Sequence, residues 1–181
     1  MKQETIVILD FGGQYKQLIA RRIRECGVYC EIHPYTISTE EILAMNPRGI
    51  VFTGGPNSVY AEEAPSCSEK ILSLGIPVLG ICYGCQLMAH LLGGEVVPAP
   101  ISEYGYTEVK IDAADAALFR DVSPVTACWM SHTDYVARVP EGFGLRLIPE
   151  TVRWLRWRTR PGSCMRSSFT RKWCIRRKAE R

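Results

Sequence analysis

VLGICYGCQLM, residues 78–88, joins a short apolar run to an apolar segment with helical spacing. The run at 76–81 predicts a buried strand, and residues 87–92 predict the start of a helix. Cys82 lies between them, with Gly80 and Gly84 on either side. A sharp strand-to-helix turn holds the side chain of its central residue above the sheet edge, and small neighbours relieve the crowding there. The pattern predicts a cysteine nucleophile facing the positive N-terminus of a helix, which favours thiolate; a small buried core cysteine is the alternative.

Strands and helices alternate along the first half of the chain. Apolar runs predict strands at 5–9, 28–32 and 49–52. One helix runs to Ile23 and is closed by Gly27, and a second, short helix is capped by Ser38 or Thr39. Short connections between alternating elements favour an α/β fold, an open and mainly parallel sheet with helices on both faces.

Three loops fall at the carboxyl ends of the predicted strands, at Asp10, Gly54 and Cys82. Ligands of such sheets bind beyond these ends, so we expect the loops to build one site. After Gly94 the pattern changes, and further strands, some of them antiparallel, are predicted at 96–97, 106–111 and 125–130.

The composition is that of a globular domain. The chain has 181 residues, 46% of them hydrophobic and 23% charged, which is enough for one sizeable core. It has no apolar run of membrane-spanning length and no secretory leader, so we expect a cytoplasmic protein with no membrane partner. Cys26, Cys30, Cys67 and Cys128 are expected to be reduced. Cys82 and Cys85 form a C-x-x-C pair, but the neighbouring glycines suit a hydrolase turn better.

The Gly80-x-Cys82-x-Gly84-x-Gln86 pattern resembles the nucleophile motif of class I, triad-type glutamine amidotransferases. These flavodoxin-like, three-layer domains hydrolyse the glutamine side-chain amide through a thioester and pass ammonia to a partner site. The resemblance implies the following roles, with no metal: catalytic Cys82; oxyanion-stabilising backbone at Gly54 and Tyr83; and contacts to L-glutamine from Gly55, Gln86, Ser131 and His132. Without the resemblance, the Gly54-Gly55 pair also fits a plain turn, and His132 fits a structural partner of the backbone.

Three further segments are similar to the amidotransferase domain of GMP synthases: ILDFGGQY at 8–15, TGGPNSVY at 53–60 and WMSHTD at 129–134. The similarity covers about residues 4–143, and we take residues 1–143 as an incomplete amidotransferase domain. The resemblance also puts residues 10–15 near an inter-domain face. It implies that the ammonia aminates XMP to GMP in a synthetase domain that uses ATP and Mg²⁺. None of that domain's phosphate-binding sequence is present, so we expect no cofactor here and an oligomer only in the full-length enzyme.

The family's general base and its orienting glutamate lie in a late Phe-His-Pro-Glu segment, and this sequence has no histidine after His132. Since acyl transfer through a thiol needs such a base, the triad is incomplete and the chain is expected to be inactive. Two alternatives stay open: a subunit of another class I amidotransferase, and a non-catalytic domain that binds glutamine or a partner.

Residues 144–181 form a basic tail. They hold 12 Lys or Arg against 2 Asp or Glu, whereas residues 1–143 hold 10 against 17. One choice of codons for residues 168–173 is AGT TTC ACC CGG AAG TGG, and the same bases regrouped from the third base of the first codon encode Phe-His-Pro-Glu-Val. We therefore interpret the tail as an out-of-frame reading that truncates the domain, and expect it to pack poorly. A nucleic-acid-binding arm is the competing interpretation, which we reject because only the composition supports it.

Overall fold

The computed structural model describes residues 4–111, 122–143, 147–148 and 165–166. The α-helices in these ranges are α1 (Lys16–Glu25), α2 (Thr39–Met45) and α3 (Tyr83–Leu91), and a 3-10 helix covers Glu69–Ser73. The strands are β1 (Thr5–Asp10), β2 (Tyr29–Pro34), β3 (Gly49–Phe52), β4 (Val78–Gly80), β5 (Glu95–Ile111), β6 (Val125–Arg138), β7 (Leu147–Ile148) and β8 (Met165–Arg166).

The main sheet is parallel, with its described strands in the order β2-β1-β3-β4-β8. β1 lies between β2 and β3, with Ile8 opposite Ile32 on one side and Val51 on the other. Parallel strands covered on both faces are continuously apolar, as the β1 and β3 sequences are. The α/β, mainly parallel architecture predicted from the sequence is confirmed.

Helices pack on both faces of this sheet. On one face, the side chains of Val7, Leu9 and Phe52 share a buried cluster with Ile42 of α2 and Leu87 of α3. On the other face, Ile8 and Val51 pack with Ala20 of α1. The strand alternation thus distributes successive side chains of β1 to two cores, and fixes the carboxyl ends of β1, β3 and β4 at one rim.

The helix boundaries follow local chemistry. Ser38 is the N-cap of α2, and its hydroxyl and the Glu41 carboxylate form a reciprocal capping box. Gly27, at φ +75°, follows the end of α1, as predicted. The prediction that the third helix starts at Leu87 was wrong: α3 begins at Tyr83, directly after Cys82. The first turn is buried as well, but its glycine and its glutamine interrupt the apolar periodicity from which the helix was predicted.

β5 and β6 form a long antiparallel ribbon. We predicted two short strands at 96–97 and 106–111, but β5 is continuous, with a register shift between Pro98 and Glu103. β6 extends eight residues beyond its predicted end at Met130. In β6, Met130, His132 and Asp134 are buried and the residues between them are exposed.

Of the basic tail, the structure describes β7 and β8. β8 pairs in parallel with β4, Val78 lying opposite Met165. The remaining positions at 144–146, 149–164 and 167–181 lie outside the described residues, so the predicted division at 143 and the poor packing of the tail stay predictions. No helix in the described part of the chain is long and apolar enough to cross a bilayer.

Candidate active site

Cys82 occupies a strained turn between β4 and α3. Its backbone has φ 52° and ψ −115°, a conformation that side-chain-bearing residues rarely adopt. A methyl group on Gly80 would lie 2.6 Å from Cys85 Cα, and one on Gly84 would lie 2.5 Å from the Phe52 carbonyl oxygen. Both glycines are therefore required by close packing of α3 on the sheet. The predicted strand-to-helix turn has the geometry of a nucleophile elbow.

The β3 loop, residues 53–60, passes beside this turn. A methyl group on Gly54 would lie 3.7 Å from Cys82 Cβ, so the Gly54 backbone borders Cys82 directly. Gly55 is enclosed instead: a methyl group there would lie 2.8 Å from the Phe11 carbonyl oxygen and 3.0 Å from Tyr83 Cγ. The loop can therefore bring main-chain groups to Cys82 where a side chain would block them.

Hydrogen bonds fix the start of the β3 loop. The Phe11 N–H donates to Thr53 Oγ1 at 3.0 Å, and that hydroxyl donates to the Gly54 carbonyl oxygen at 3.1 Å. A methyl group on Gly13 would lie 2.3 Å from the same carbonyl oxygen. Thr53 is fully buried. The carbonyl of Gly54 is thus held towards the loop between β1 and α1 (the β1 loop, residues 11–15), which fixes the orientation of the Gly54–Gly55 peptide.

Tyr83 starts α3. Its backbone N–H is the first of the helix, which no carbonyl within the helix can accept. Its side chain is buried, and the hydroxyl donates to the Pro65 carbonyl oxygen. Burial raises the pKa of Tyr83 to about 12. The ring is a structural anchor, while the main-chain amide is the group available for chemistry.

β6 closes the other side of Cys82. The thiol lies 3.9 Å from the Ser131 carbonyl oxygen. Gln86, buried in α3, donates its side-chain amide to the Asp134 carbonyl oxygen at 2.8 Å. Cys82, Gln86 and Ser131 are therefore brought together with Gly54 and Gly55, and the Gln86 amide joins α3 to β6.

His132 is buried on the inner face of β6, on the opposite side of the strand from Ser131. Burial lowers its pKa below the ordinary value, and the nearby Asp134 partly opposes this shift. A neutral imidazole is therefore favoured at neutral pH.

Asp134 makes the contacts that the sequence analysis missed. Its carboxylate accepts hydrogen bonds from the Ser58 hydroxyl and from the Tyr60 hydroxyl, the latter at 3.0 Å. All three residues were quoted within motifs but given no role. The sequence signal for the loop side of these contacts is the alternation Ser58-Val59-Tyr60. Val59 is buried in the core, and the two hydroxyl-bearing residues lie on either side of it.

The other histidines are distant from the nucleophile. His33 lies on β2 and contacts Glu31 at 3.1 Å. β1 and β3 separate β2 from β4, a span of roughly 14 Å at the usual strand spacing. His90 is exposed near the end of α3, eight residues after Cys82, or about 12 Å along a helix. Neither is placed to act as the general base.

At the same rim, Lys16 forms an ion pair with Asp10, whose carboxylate also accepts from the Gly12 N–H at 2.9 Å. These contacts order the β1 loop that backs Gly54. Among the described residues, no group of three or more His, Cys, Asp or Glu side chains could hold a metal ion. The chemistry of the described site is that of a thiol, main-chain amides and main-chain carbonyls.

The model of the glutamine amidotransferase class-I family matches residues 7–152. The chain belongs to this family. The match includes the elbow, the β3 loop and β6, which are the three parts of the site.

Sequence relatives point to one kind of family member. The glutamine-hydrolysing GMP synthase of Clostridium botulinum strain Alaska E43 is 60% identical over 143 residues, and that of Clostridium perfringens is 60% identical over 141. These matches cover 79% and 78% of this chain. The chain spans 28% of the length of each relative.

Solved structures agree on the fold. A Thermoplasma acidophilum protein described as a candidate component of GMP synthase superposes with a TM-score of 0.76 at 28% identity, covering 93% of this chain and 83% of that one. A glutamine amidotransferase from Thermotoga maritima gives a TM-score of 0.68 at 19% identity, with 92% of this chain and 75% of that one covered. The second likeness supports the fold alone.

Proposed function

We propose that this chain is the glutaminase domain of a GMP synthase and that Cys82 is its nucleophile. The observation that carries the proposal is the placement of Cys82 at a strained elbow, between the Gly54 backbone and the Ser131 carbonyl oxygen. The sequence relatives named GMP synthase support the choice among amidotransferases.

The proposed reaction begins when the Cys82 sulfur attacks the side-chain carbonyl carbon of L-glutamine. The carbonyl oxygen becomes an oxyanion, stabilised by the backbone N–H groups at Gly54 and Tyr83. The thiol proton is transferred to the amide nitrogen, which leaves as ammonia, and a thioester remains on Cys82. Water then hydrolyses the thioester to glutamate and the free thiol. No cofactor takes part in these steps.

Substrate contacts are assigned to Gly55, Gln86, Ser131 and His132. The placement of Gln86 and Ser131 around Cys82 supports the assignment for both residues. Gln86 already donates its amide to β6, so its remaining carbonyl oxygen is the group we assign to the substrate. His132 is buried, and we assign it to the floor of the site.

The ammonia is passed to an ATP-dependent synthetase domain that converts XMP to GMP. We propose that this domain is supplied outside the present sequence, and that residues 10–15 at the rim face it. Adding a separately produced synthetase portion of the Clostridium perfringens enzyme to this chain would test the assignment. We expect glutamine-dependent GMP formation only when both components are present, and only at a slow rate, because this chain lacks the family's general base.

A general base is the missing part of the reaction. Since the sequence has no histidine after His132, we expect very slow turnover by the chain itself. Added imidazole can replace a missing histidine base, and we therefore expect glutamate release to rise with the concentration of neutral imidazole. Cys82→Ala should abolish this release. Glutamate release by wild type that is equal to that of Cys82→Ala at every imidazole concentration would contradict the proposal.

A second candidate function is glutamine binding without hydrolysis, which the same missing base favours. Isothermal titration with L-glutamine distinguishes the two. Binding that persists in Cys82→Ala, without glutamate release by wild type in imidazole, supports the binding domain. The out-of-frame origin of 144–181 is tested by resequencing the gene from the Pro140 codon: a neighbouring frame without His-Pro-Glu would contradict it.

A further inference from the structure

We propose that Asp134 is a positioning residue that sets the distance between the β3 loop and the Cys82 elbow. It does so through contacts in three directions, and it does not itself touch the reacting atoms. The inference rests on the proposed function for its consequence in catalysis, but the structural coupling can be measured without it.

The first contact is to the β3 loop. The Asp134 carboxylate accepts from the Ser58 and Tyr60 hydroxyls. Asp134 is 5% exposed, whereas Tyr60 is 48% exposed. The ring of Tyr60 gains little from burial, so its hydroxyl bond to Asp134 is the interaction that holds it. Hydrogen bonds to a carboxylate are stronger than neutral ones, and burial of the acceptor increases the difference.

The second contact is to α3. The Asp134 carbonyl oxygen accepts from Gln86 Nε2 at 2.8 Å in a buried position. Gln86 lies one helical turn after Cys82, so this bond ties β6 to the first turn of the helix that carries the nucleophile. The third contact runs through the strand itself, because Ser131, three residues before Asp134, places its carbonyl oxygen 3.9 Å from the Cys82 sulfur.

The three contacts make Asp134 the point where the loop, the helix and the strand meet. Gly54 lies between two fixed ends of the β3 loop: Thr53 holds one end to the β1 loop, and Ser58 and Tyr60 hold the other to Asp134. A loop fixed at both ends holds its backbone within the small tolerance that an oxyanion site requires. Without the Asp134 carboxylate, the β3 loop would lose both hydrogen bonds that hold its Ser58–Tyr60 end to β6.

The test compares Asp134→Asn with wild type and with Ser58→Ala and Tyr60→Phe. Asn keeps the shape of the side chain and its carbonyl acceptor, but it loses the charge and one acceptor oxygen. Hydrogen–deuterium exchange of peptides covering 53–60 gives the direct readout. We expect about 10-fold faster exchange in the β3 loop of Asp134→Asn, the order expected when a hydrogen bond to a charged group is lost, and no change in β1 and β2.

The second readout is inactivation by the glutamine analogue 6-diazo-5-oxo-L-norleucine, compared with alkylation by iodoacetamide. We expect the maximal rate of analogue inactivation to fall by about 10- to 100-fold, as for a misplaced oxyanion site. The analogue concentration at half-maximal rate and the rate of Cys82 alkylation by iodoacetamide should change by less than about twofold, because the thiol itself stays in place. A residue that only stabilised the fold would change both reagents together.

The outcomes are distinguishable. If the analogue does not inactivate wild type, the proposed function fails, while hydrogen exchange still decides the role of Asp134. Unchanged exchange in 53–60 of Asp134→Asn overturns the inference, and so does a uniform increase over the whole chain. If Asp134→Asn does not fold, Ser58→Ala and Tyr60→Phe each remove one bond from the loop side. Unchanged exchange in both of these variants likewise overturns it.

Discussion

The Cys82 sulfur lies 3.9 Å from the carbonyl oxygen of Ser131, so the main chain of strand β6 lies beside this thiol. The Ser131 side chain is exposed on the outer face of the strand. This relationship places a main-chain acceptor beside the thiol, and the backbone of the β3 loop also borders Cys82. Main-chain groups of two elements therefore flank the thiol.

The strain at Cys82 predicts an unusual order of stability among its variants. Glycine adopts φ 52° without strain, whereas alanine and cysteine do not. Cys82→Gly should therefore have a free energy of unfolding about 1 kcal/mol higher than Cys82→Ala. Urea denaturation of both variants measures the difference.

The exposed helical position Gln17 provides the matched control. There Gln17→Gly should be less stable than Gln17→Ala by about 1 kcal/mol, the usual order in a helix. The same order at Cys82 would show that the elbow carries no strain.

Substitutions of Gly54 and Gly55 should have different effects, the first on reactivity and the second on stability. The methyl group of Gly54→Ala fits at 3.7 Å from Cys82 Cβ and leaves the backbone N–H in place, but it crowds the space beside the thiol. We therefore expect a folded protein whose inactivation by the glutamine analogue is slower by at least about 10-fold, as for a misplaced reacting group. Gly55→Ala would press on Phe11 and Tyr83 and should lower the free energy of unfolding by about 1–3 kcal/mol. Thermal melting and inactivation rates of both variants check this. Equal melting temperatures for the two would contradict the packing argument.

The buried His132 should make the free energy of unfolding depend on pH. Burial lowers its folded-state pKa below 6.5, its value in the unfolded chain. The unfolded state therefore binds the proton more tightly, and the free energy of unfolding should fall as the pH drops through 6.5 towards the folded-state pKa. The contribution of one histidine is at most about 1.4 kcal/mol per pH unit. Urea midpoints between pH 7.5 and 5 measure it.

The control variants are His132→Gln and His90→Gln. The first should reduce the slope of stability against pH in this range, whereas the second changes an exposed residue and should leave the slope close to that of wild type. A slope in His132→Gln equal to that of wild type would rule out His132 as its source.

The cysteines should differ in their rates of thiol modification according to how buried they are. Burial raises the pKa of Cys67 to about 12, so Cys67 should remain unmodified by iodoacetamide at pH 8 in the folded protein. Cys26 is exposed and should react under the same conditions. Peptide mass spectrometry before and after unfolding in urea gives the two patterns, and modification of Cys67 as fast as Cys26 in the native protein would contradict its burial.

The fold and the sharp turn at Cys82 could be predicted from the sequence because both have strong local signals. The apolar strands at 5–9 and 49–52 are buried on both faces, and the glycines around Cys82 are required by contacts with Cys85 and Phe52. The sequence could not decide whether Ser38 or Thr39 is the N-cap of α2, because serine and threonine are both good N-cap residues. The side-chain bonds of Glu41 decide for Ser38.

Contacts between residues far apart in the chain could not be predicted from the sequence. Ser58 and Asp134 are 76 residues apart, and nothing in either local pattern indicates that they meet. The contact between Gly13 and the Gly54 carbonyl likewise depends on how two loops pack at the rim. The continuity of β5 was missed because proline is rare inside a strand, whereas the ribbon accommodates Pro98 and Pro100 with a shift in register.

The central claim is that Cys82 attacks the side-chain carbonyl of glutamine, and site-resolved labelling with 6-diazo-5-oxo-L-norleucine tests it most directly. We expect one adduct per chain, on Cys82 and on neither Cys26 nor Cys67, formed more slowly as L-glutamine is added and absent from Cys82→Ala. Cys26→Ser should label as wild type does. Labelling that L-glutamine does not slow, or that falls on Cys26 rather than Cys82, would contradict the account.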